Sequence, residues 1–294
     1  MKRLKDFAYQ EPATLDEAVA ALAEGGDTAR VLAGGTDLIV DLKIERLPTS
    51  AVVNIKRIPG LSGIDDLGEA SRIGALTKVT DIEASTLVAE RHPALSQAAS
   101  ILASPPVRAL ATIGGNVGRA SPASDLGPAL IVSGASARIR GTAGDREELV
   151  EALYTGPGRT SLACSDIITD FIIPKPVAGF GSAHVKLGKR GSGTDIAMAG
   201  AAASVVITDG VITEGKIALA SLGPIPFRAA TAEEVLRGQP AAEETIAAAA
   251  QAAAGDASPI GDIRASASYR TTLAQVLTLR ALRAAITSSR EVVA

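Results

Sequence analysis

The sequence predicts an α+β chain: two successive α/β units, then a third unit in which strands come first and helices follow. Three observations carry that expectation. Up to residue 174, short β-rich runs alternate with amphipathic helical stretches, the pattern of α/β construction. Beyond it, one strong hairpin signal, Asp209-Gly210, is followed by helical sequence. Breaks rich in Gly and Pro fall near residue 60 and over 175–182, dividing the chain into 1–60, 61–176 and 177–294.

The first helix is announced by Thr14-Leu15-Asp16-Glu17, a capping box in which the Thr hydroxyl takes the third amide and Glu17 reaches back. Leu15, Val19 and Leu22 follow at helical spacing, and Gly25-Gly26 stops the helix. Strands are expected at RVLAG and AVVNI, on either side of a helix-like LIVDLKIER. The second unit opens near Leu61. It has a strand at RIGAL, a helix after Thr80-Asp81, a helix at PALSQAASILAS and a closing strand at DIITDFIIP. KPVAGFGS, residues 175–182, reads as a linker because Pro and Gly interrupt any continuing element. The third unit begins with a strand near AHVKLGKR. Two strand runs then flank Asp209-Gly210, where glycine adopts positive φ at no steric cost. Thr231-Ala232-Glu233-Glu234 reads as a second capping box, closed by Gly238. The stretch AAAAQAAAG reads as plain helix. Tyr269, Leu273, Val276, Leu277 and Ile286 form the stripe of a last one.

Composition narrows the function. With 294 residues there is ample material for buried cores. A net charge of -3 gives no electrostatic case for nucleic acid, and no run of about 18 apolar residues is present to span a bilayer. The opening MKRLKDFAYQEP has basic residues but no apolar run behind them. A secretory leader is therefore not expected, and the cytoplasm is the expected compartment. The lone Cys164 excludes an internal disulfide framework and an iron–sulfur cluster held by this chain. The two histidines, His92 and His184, lack zinc spacing, so no metal site is expected. Hard chemistry then falls to a bound organic cofactor.

Two Gly-Gly pairs stand out, in VLAGGTDLIV (31–40) and in RALATIGGNVGRASPASDL (108–126). Glycine lets a ligand approach the main chain, and successive exposed amides favour phosphate oxygens. A diphosphate spreads two negative charges over several oxygens, which two loops share better than one. Each pair alone is common in turns; together, Ala33-Gly34-Gly35-Thr36-Asp37 and Thr112-Ile113-Gly114-Gly115-Asn116 suggest a diphosphate cradle. Asp37 would repel a diphosphate and is expected instead to cap the helix starting at Leu38. Thr36 and Asn116 are the expected side-chain donors. GKRGSGT, 188–194, is glycine-rich and basic, but its spacing fits no phosphate loop of the NTPase type.

These motifs resemble the FAD-binding medium subunit of the molybdenum hydroxylases, the family of carbon monoxide dehydrogenase and xanthine dehydrogenase. LAGGTDLI and TIGGNVGRASPASDL are similar to its two flavin signatures, and RTSLACSDIITDFIIP to its middle segment. SAHVKLGKR, ALASLGPIPFRA and DIRASASYR resemble its last domain. The resemblance implies a fold of the vanillyl-alcohol-oxidase type: two α/β subdomains around FAD and a C-terminal α+β domain. It implies that Ala33 to Asp37 and Ala111 to Gly115 hold the diphosphate through main-chain amides. Asp125 would accept hydrogen bonds from cofactor hydroxyl or ring groups, Leu162 would pack near the ring, and Lys186, followed by Arg190, would place positive charge near the flavin. His184 stands where relatives commonly have an aromatic residue, and the segment before Arg108 departs from theirs.

The implied activity is that of an oxidoreductase subunit carrying non-covalent FAD, with no catalytic side chain of its own. The implied partners are a large molybdopterin subunit and a small subunit with two [2Fe–2S] centres, in a dimer of heterotrimers with an external electron acceptor. A stand-alone flavin oxidase or reductase of the same fold is the alternative; scarce aromatic residues and histidines argue against it.

Overall fold

The computed structural model describes residues 4–190 and 195–291. The first unit is a small parallel sheet, β1 (Ala8–Gln10), β2 (Ala29–Leu32) and β3 (Ala51–Asn54), in the order β1-β3-β2. Parallel neighbours need crossovers, and these are α1 (Leu15–Gly25) and α2 (Leu38–Lys43). The Thr14 capping box forms in full, with Glu17 N–H donating to Thr14 Oγ1 at 3.2 Å. Asp37 stands at the start of α2 but makes no side-chain cap, contrary to its expected role.

In the second unit an antiparallel sheet is crossed by a long helical excursion. Strands β4 (Ile64–Asp66) and β5 (Ala70–Gly74) lead into α3 (Val79–Ala84), α4 (Thr86–Arg91), α5 (Pro93–Ile101), α6 (Pro105–Arg108), α7 (Ile113–Arg119) and α8 (Leu126–Val132). The chain returns through β6 (Ser136–Gly141), β7 (Gly144–Leu149), α9 (Val150–Leu153) and the short pair β8 (Tyr154–Gly156) and β9 (Arg159–Thr160). Strand β10 (Ile167–Pro174) then enters the centre of the sheet, whose order is β4-β5-β10-β6-β7. Its near-continuous apolar run packs on α5, α7 and α8 through Phe171, Leu95, Val117 and Leu130, all fully buried.

The third unit contains β11 (Phe180–Gly188), β12 (Ala197–Thr208), β13 (Val211–Ala220), β14 (Phe227–Arg228), α10 (Ala230–Leu236), β15 (Gln239–Pro240), α11 (Glu243–Asp256) and α12 (Ala267–Glu291). Asp209 and Gly210 both have positive φ, 51° and 79°, as the tight hairpin between β12 and β13 requires. One face of this alanine-rich sheet carries Ala199, Ala201, Leu219 and Ile217 against α10, α11 and α12. The other face lies on α5 and α8 of the second unit.

Three readings change. The linker ends at Gly179, because β11 already begins at Phe180. Gly181 is there for packing: a Cβ on it would stand 2.1 Å from the Ala285 carbonyl oxygen of α12. The Thr231 capping box does not form; instead Asp256, 25 residues on, accepts from Thr231 N–H at 3.0 Å. Glu233 turns inward, accepting from Ile217 N–H and pairing with Arg228. Tyr269 is exposed, and buried Arg270 takes its place in the stripe, donating to the Ser221 carbonyl and to Asp262. GKRGSGT falls partly on 191–194, outside the described residues. Among the described residues, no helix is long and apolar enough to cross a membrane.

Candidate functional site

The two glycine loops meet. Gly34 lies so close to the second loop that a Cβ would stand 2.1 Å from the Leu110 carbonyl oxygen. A Cβ on Gly115 would come within 3.9 Å of Ala33 Cβ. Gly35, at φ 77°, turns the first loop into α2. Gly114 is also held by the protein, since a Cβ there would meet the Ala75 main chain at 2.8 Å. Glycine is therefore demanded at Gly34 and Gly114 by contacts within the chain, a reason that sequence alone did not supply.

Both loops open onto one cleft of about 830 Å³, within the range of about 300–1,000 Å³ common for ligand sites. Of the residues singled out from sequence, Ala33, Gly34, Gly35, Thr36, Asp37, Ala111, Thr112, Gly114, Gly115, Asn116, Asp125 and Leu162 line it. Ile113 does not; its side chain is fully buried in the core of the second unit.

The loops offer different groups. The N–H groups of Gly34, Gly35, Thr36 and Asp37 have no partner among the described residues. Such a row suits an anion with many oxygens. In the second loop, Ile113, Gly114 and Asn116 give their N–H groups to the carbonyls of Thr77, Ala75 and Thr112. Gly115 N–H goes to Thr112 Oγ1 at 3.1 Å. The two loops therefore differ: the first keeps a row of four free N–H groups, whereas in the second Thr112 alone keeps one among the described residues and the other N–H groups are held within the chain. Asn116 adds a donor, because its Oδ1 accepts from Ser124 at 2.6 Å and leaves Nδ2 free among the described residues.

Lys186 is not in the cleft wall. Its side chain is 0% exposed and lies behind Asp125, with Nζ donating to Asp125 Oδ2 and to the Ile101 carbonyl, both at 2.8 Å. Burial pushes the Asp125 carboxyl up to about 6, and the Lys186 ammonium opposes the rise. Lys186 thus stands one residue back from the cleft, with Asp125 between its ammonium and the open space. Arg190 pairs instead with Asp195 on the exposed end of β11. His184, on the same face of β11 as Lys186, is buried with both ring nitrogens unpartnered among the described residues. Burial, with the Lys186 charge second, lowers its pKa to about 3, so the imidazole is neutral.

Arg108 shapes the wall beyond the second loop. It donates to the Leu102 and Ala103 carbonyls at 3.2 and 3.0 Å and pairs with Glu83 at 2.8 Å. Leu102 and Ala103 line the cleft, and Ala103 holds φ at 44°. Sequence reasoning missed this wall and the charged group at Arg30, Asp41, Arg46 and Arg119. The Glu83–Arg108 and Asp41–Arg119 pairs join residues distant in the chain, which no local pattern marks.

The fold and the cleft define a flavin-nucleotide-binding subunit. The model of the FAD binding domain in molybdopterin dehydrogenase matches residues 5–176, and that of the CO dehydrogenase flavoprotein C-terminal domain matches 183–285. The chain is 33% identical over 279 residues to the carbon monoxide dehydrogenase medium chain of Hydrogenophaga pseudoflava, covering 95% of this chain and 96% of that one. It is 31% identical over 287 residues to a xanthine dehydrogenase FAD-binding subunit of Escherichia coli O157:H7, covering 97% and 98%. Among solved structures, carbon monoxide dehydrogenase from Hydrogenophaga pseudoflava superposes with a TM-score of 0.94 at 33% identity, over 97% of this chain and 99% of that one. This chain belongs to the family of FAD-binding medium subunits of molybdenum hydroxylases, and is an oxidoreductase subunit whose cofactor is FAD.

Proposed function

We propose that this chain is the electron-transfer flavoprotein of a heterotrimeric molybdenum hydroxylase, two such trimers forming the assembly. Bound FAD would supply the electron chemistry, accepting from the two [2Fe–2S] centres of a small subunit and delivering to an external acceptor. Substrate hydroxylation would belong to the large molybdopterin subunit. The observation that carries the reading is the row of unpartnered N–H groups from Gly34 to Asp37, packed against the second glycine loop in one cleft.

The residues of this chain would bind and orient. Amides of Ala33 to Asp37 would take the diphosphate, with Thr36 and Asn116 adding side-chain donors. Ala111 to Gly115 would form the opposite wall. Asp125, poised by Lys186, would accept from a cofactor hydroxyl or ring N–H, and Leu162 would pack on the ring. Neither loop contains a histidine, which supports non-covalent attachment. The described cleft lining also lacks histidine, tyrosine and cysteine, which favours relaying electrons over direct oxidation of a small molecule.

Gly118 gives the test. It lines the cleft, and a Cβ there meets nothing within 4 Å, so Gly118→Asp adds charge without a clash. Flavin titration of the full chain should show FAD weakened by roughly tenfold or more, about 1.4 kcal/mol, with an unaltered unfolding midpoint. Unchanged affinity would contradict the proposal.

A further inference from the structure

The first glycine loop runs into α2, the second glycine pair sits in the first turn of α7, and a buried carboxylate ties these helices together through partly exposed guanidinium groups. Asp41 on α2 is 3% exposed. Each of its oxygens faces one guanidinium: Oδ1 is 3.0 Å from Arg46 Nη1, and Oδ2 is 3.1 Å from Arg119 Nη2. Arg46 lies just beyond α2 in the same unit. Arg119 is the last residue of α7, in the second unit. Among the described residues, the other ion pair joining these units is Arg140 with Asp16, whose carboxyl side is 82% exposed and therefore screened.

Asp41, Arg46 and Arg119 all line the cleft. The loops touch at Gly34 and Leu110, and the helices are held again at Asp41 and Arg119. The units also share an apolar core in which Leu76 and Ile167 pack with Leu22, Ile55 and Ile58; the Asp41–Arg119 pair adds a polar contact at the helices that flank the cleft. Separating the helices would cost the Arg119 contact while Arg46, in the same unit as Asp41, stayed with the carboxylate.

We infer that Asp41 is a positioning residue: through Arg119 it helps to fix the separation of the two glycine segments that flank the cleft, and with it the fit of a diphosphate on Gly34 to Asp37. This rests on the flavin reading above. Removing Arg119 leaves Asp41 paired with Arg46, so the fold keeps a compensated carboxylate. Removing the Asp41 charge leaves both guanidinium groups in the cleft. A direct contact between Arg119 and the ligand would therefore survive Asp41→Asn, whereas a clamp would not.

The experiment titrates the full chain with FAD, ADP and riboflavin, for the parent, Arg119→Met, Asp41→Asn and Arg119→Lys. Both Arg119→Met and Asp41→Asn should weaken FAD and ADP roughly tenfold and leave riboflavin unchanged, with Arg119→Lys recovering part of the loss. Three results would overturn the inference: parent-like FAD affinity in Arg119→Met, unweakened binding in Asp41→Asn, or equal losses of FAD and riboflavin that follow a lowered unfolding midpoint. A parent chain that binds no FAD would instead remove the flavin reading on which the inference stands.

Discussion

Replacing Lys186 with Met keeps most of the side-chain volume and removes the charge facing Asp125. With Lys186 present, the carboxyl titrates at about 6. Without it, nothing opposes burial, and the pKa should climb toward the ~8–9 documented for buried carboxyl groups. A carboxyl whose folded pKa exceeds its unfolded value costs stability as pH rises from the unfolded value to the folded one. Below about pH 6 both proteins carry Asp125 protonated, and the variant's deficit is set by packing and by the burial of Lys186 itself. Above it, the parent has ionised and pays nothing further, while the variant goes on holding a proton. The deficit should then grow by about 1.4 kcal/mol per pH unit, adding about 2 kcal/mol by about pH 7.5. Urea unfolding followed by circular dichroism across that range reads the effect. The pH-dependent part should vanish when Asp125→Asn is combined with Lys186→Met. A deficit that stays flat or shrinks as pH rises would refute the reasoning.

Arg108→Met frees the Leu102 and Ala103 carbonyls and strips Glu83 of its partner; a loss of about 2–3 kcal/mol is expected, together with weaker FAD binding. Parent-like stability and affinity would show that this wall does not depend on Arg108. His92 and His184 are held at about 4 and about 3, chiefly by burial, against an ordinary value of 6.5. Their neutral forms favour the fold above about pH 6.5, and stability should fall below it by up to about 1.4 kcal/mol per pH unit for each. His184→Phe should reduce that acid slope in a denaturant series, and an unchanged slope would contradict its buried, neutral state.

Features closed within a few residues were legible in the sequence. Thr14 and Glu17 cap their helix because both partners lie in one turn, and Asp209-Gly210 turns because its own φ preferences suffice. Thr231 and Glu234 present the same local pattern, yet α10 starts at Ala230 and Asp256, from elsewhere in the fold, takes the Thr231 N–H. Gly181 read as a breaker because the demand of α12 for a close approach is invisible in one dimension. The site divides in the same way. The glycine pairs pointed to one place, and both line the same cleft, but which N–H groups stay free depended on Thr77 and Ala75, which no motif marks. Asp125 and Lys186 were singled out through resemblance, and the fold brings them together, Asp125 on the cleft. Their order, carboxylate in front and ammonium behind, follows from the seating of β11 on α5 and α8. The Asp41–Arg119 pair joins residues far apart in the chain, and nothing local predicts it.

A crystal structure of the full chain with FAD would test the central claim most directly. The account predicts the diphosphate seated on Gly34 to Asp37, its oxygens accepting from those main-chain groups, with the second loop closing the other side. Density for the diphosphate anywhere outside this cleft, or for a flavin whose phosphates face solvent there, would contradict it.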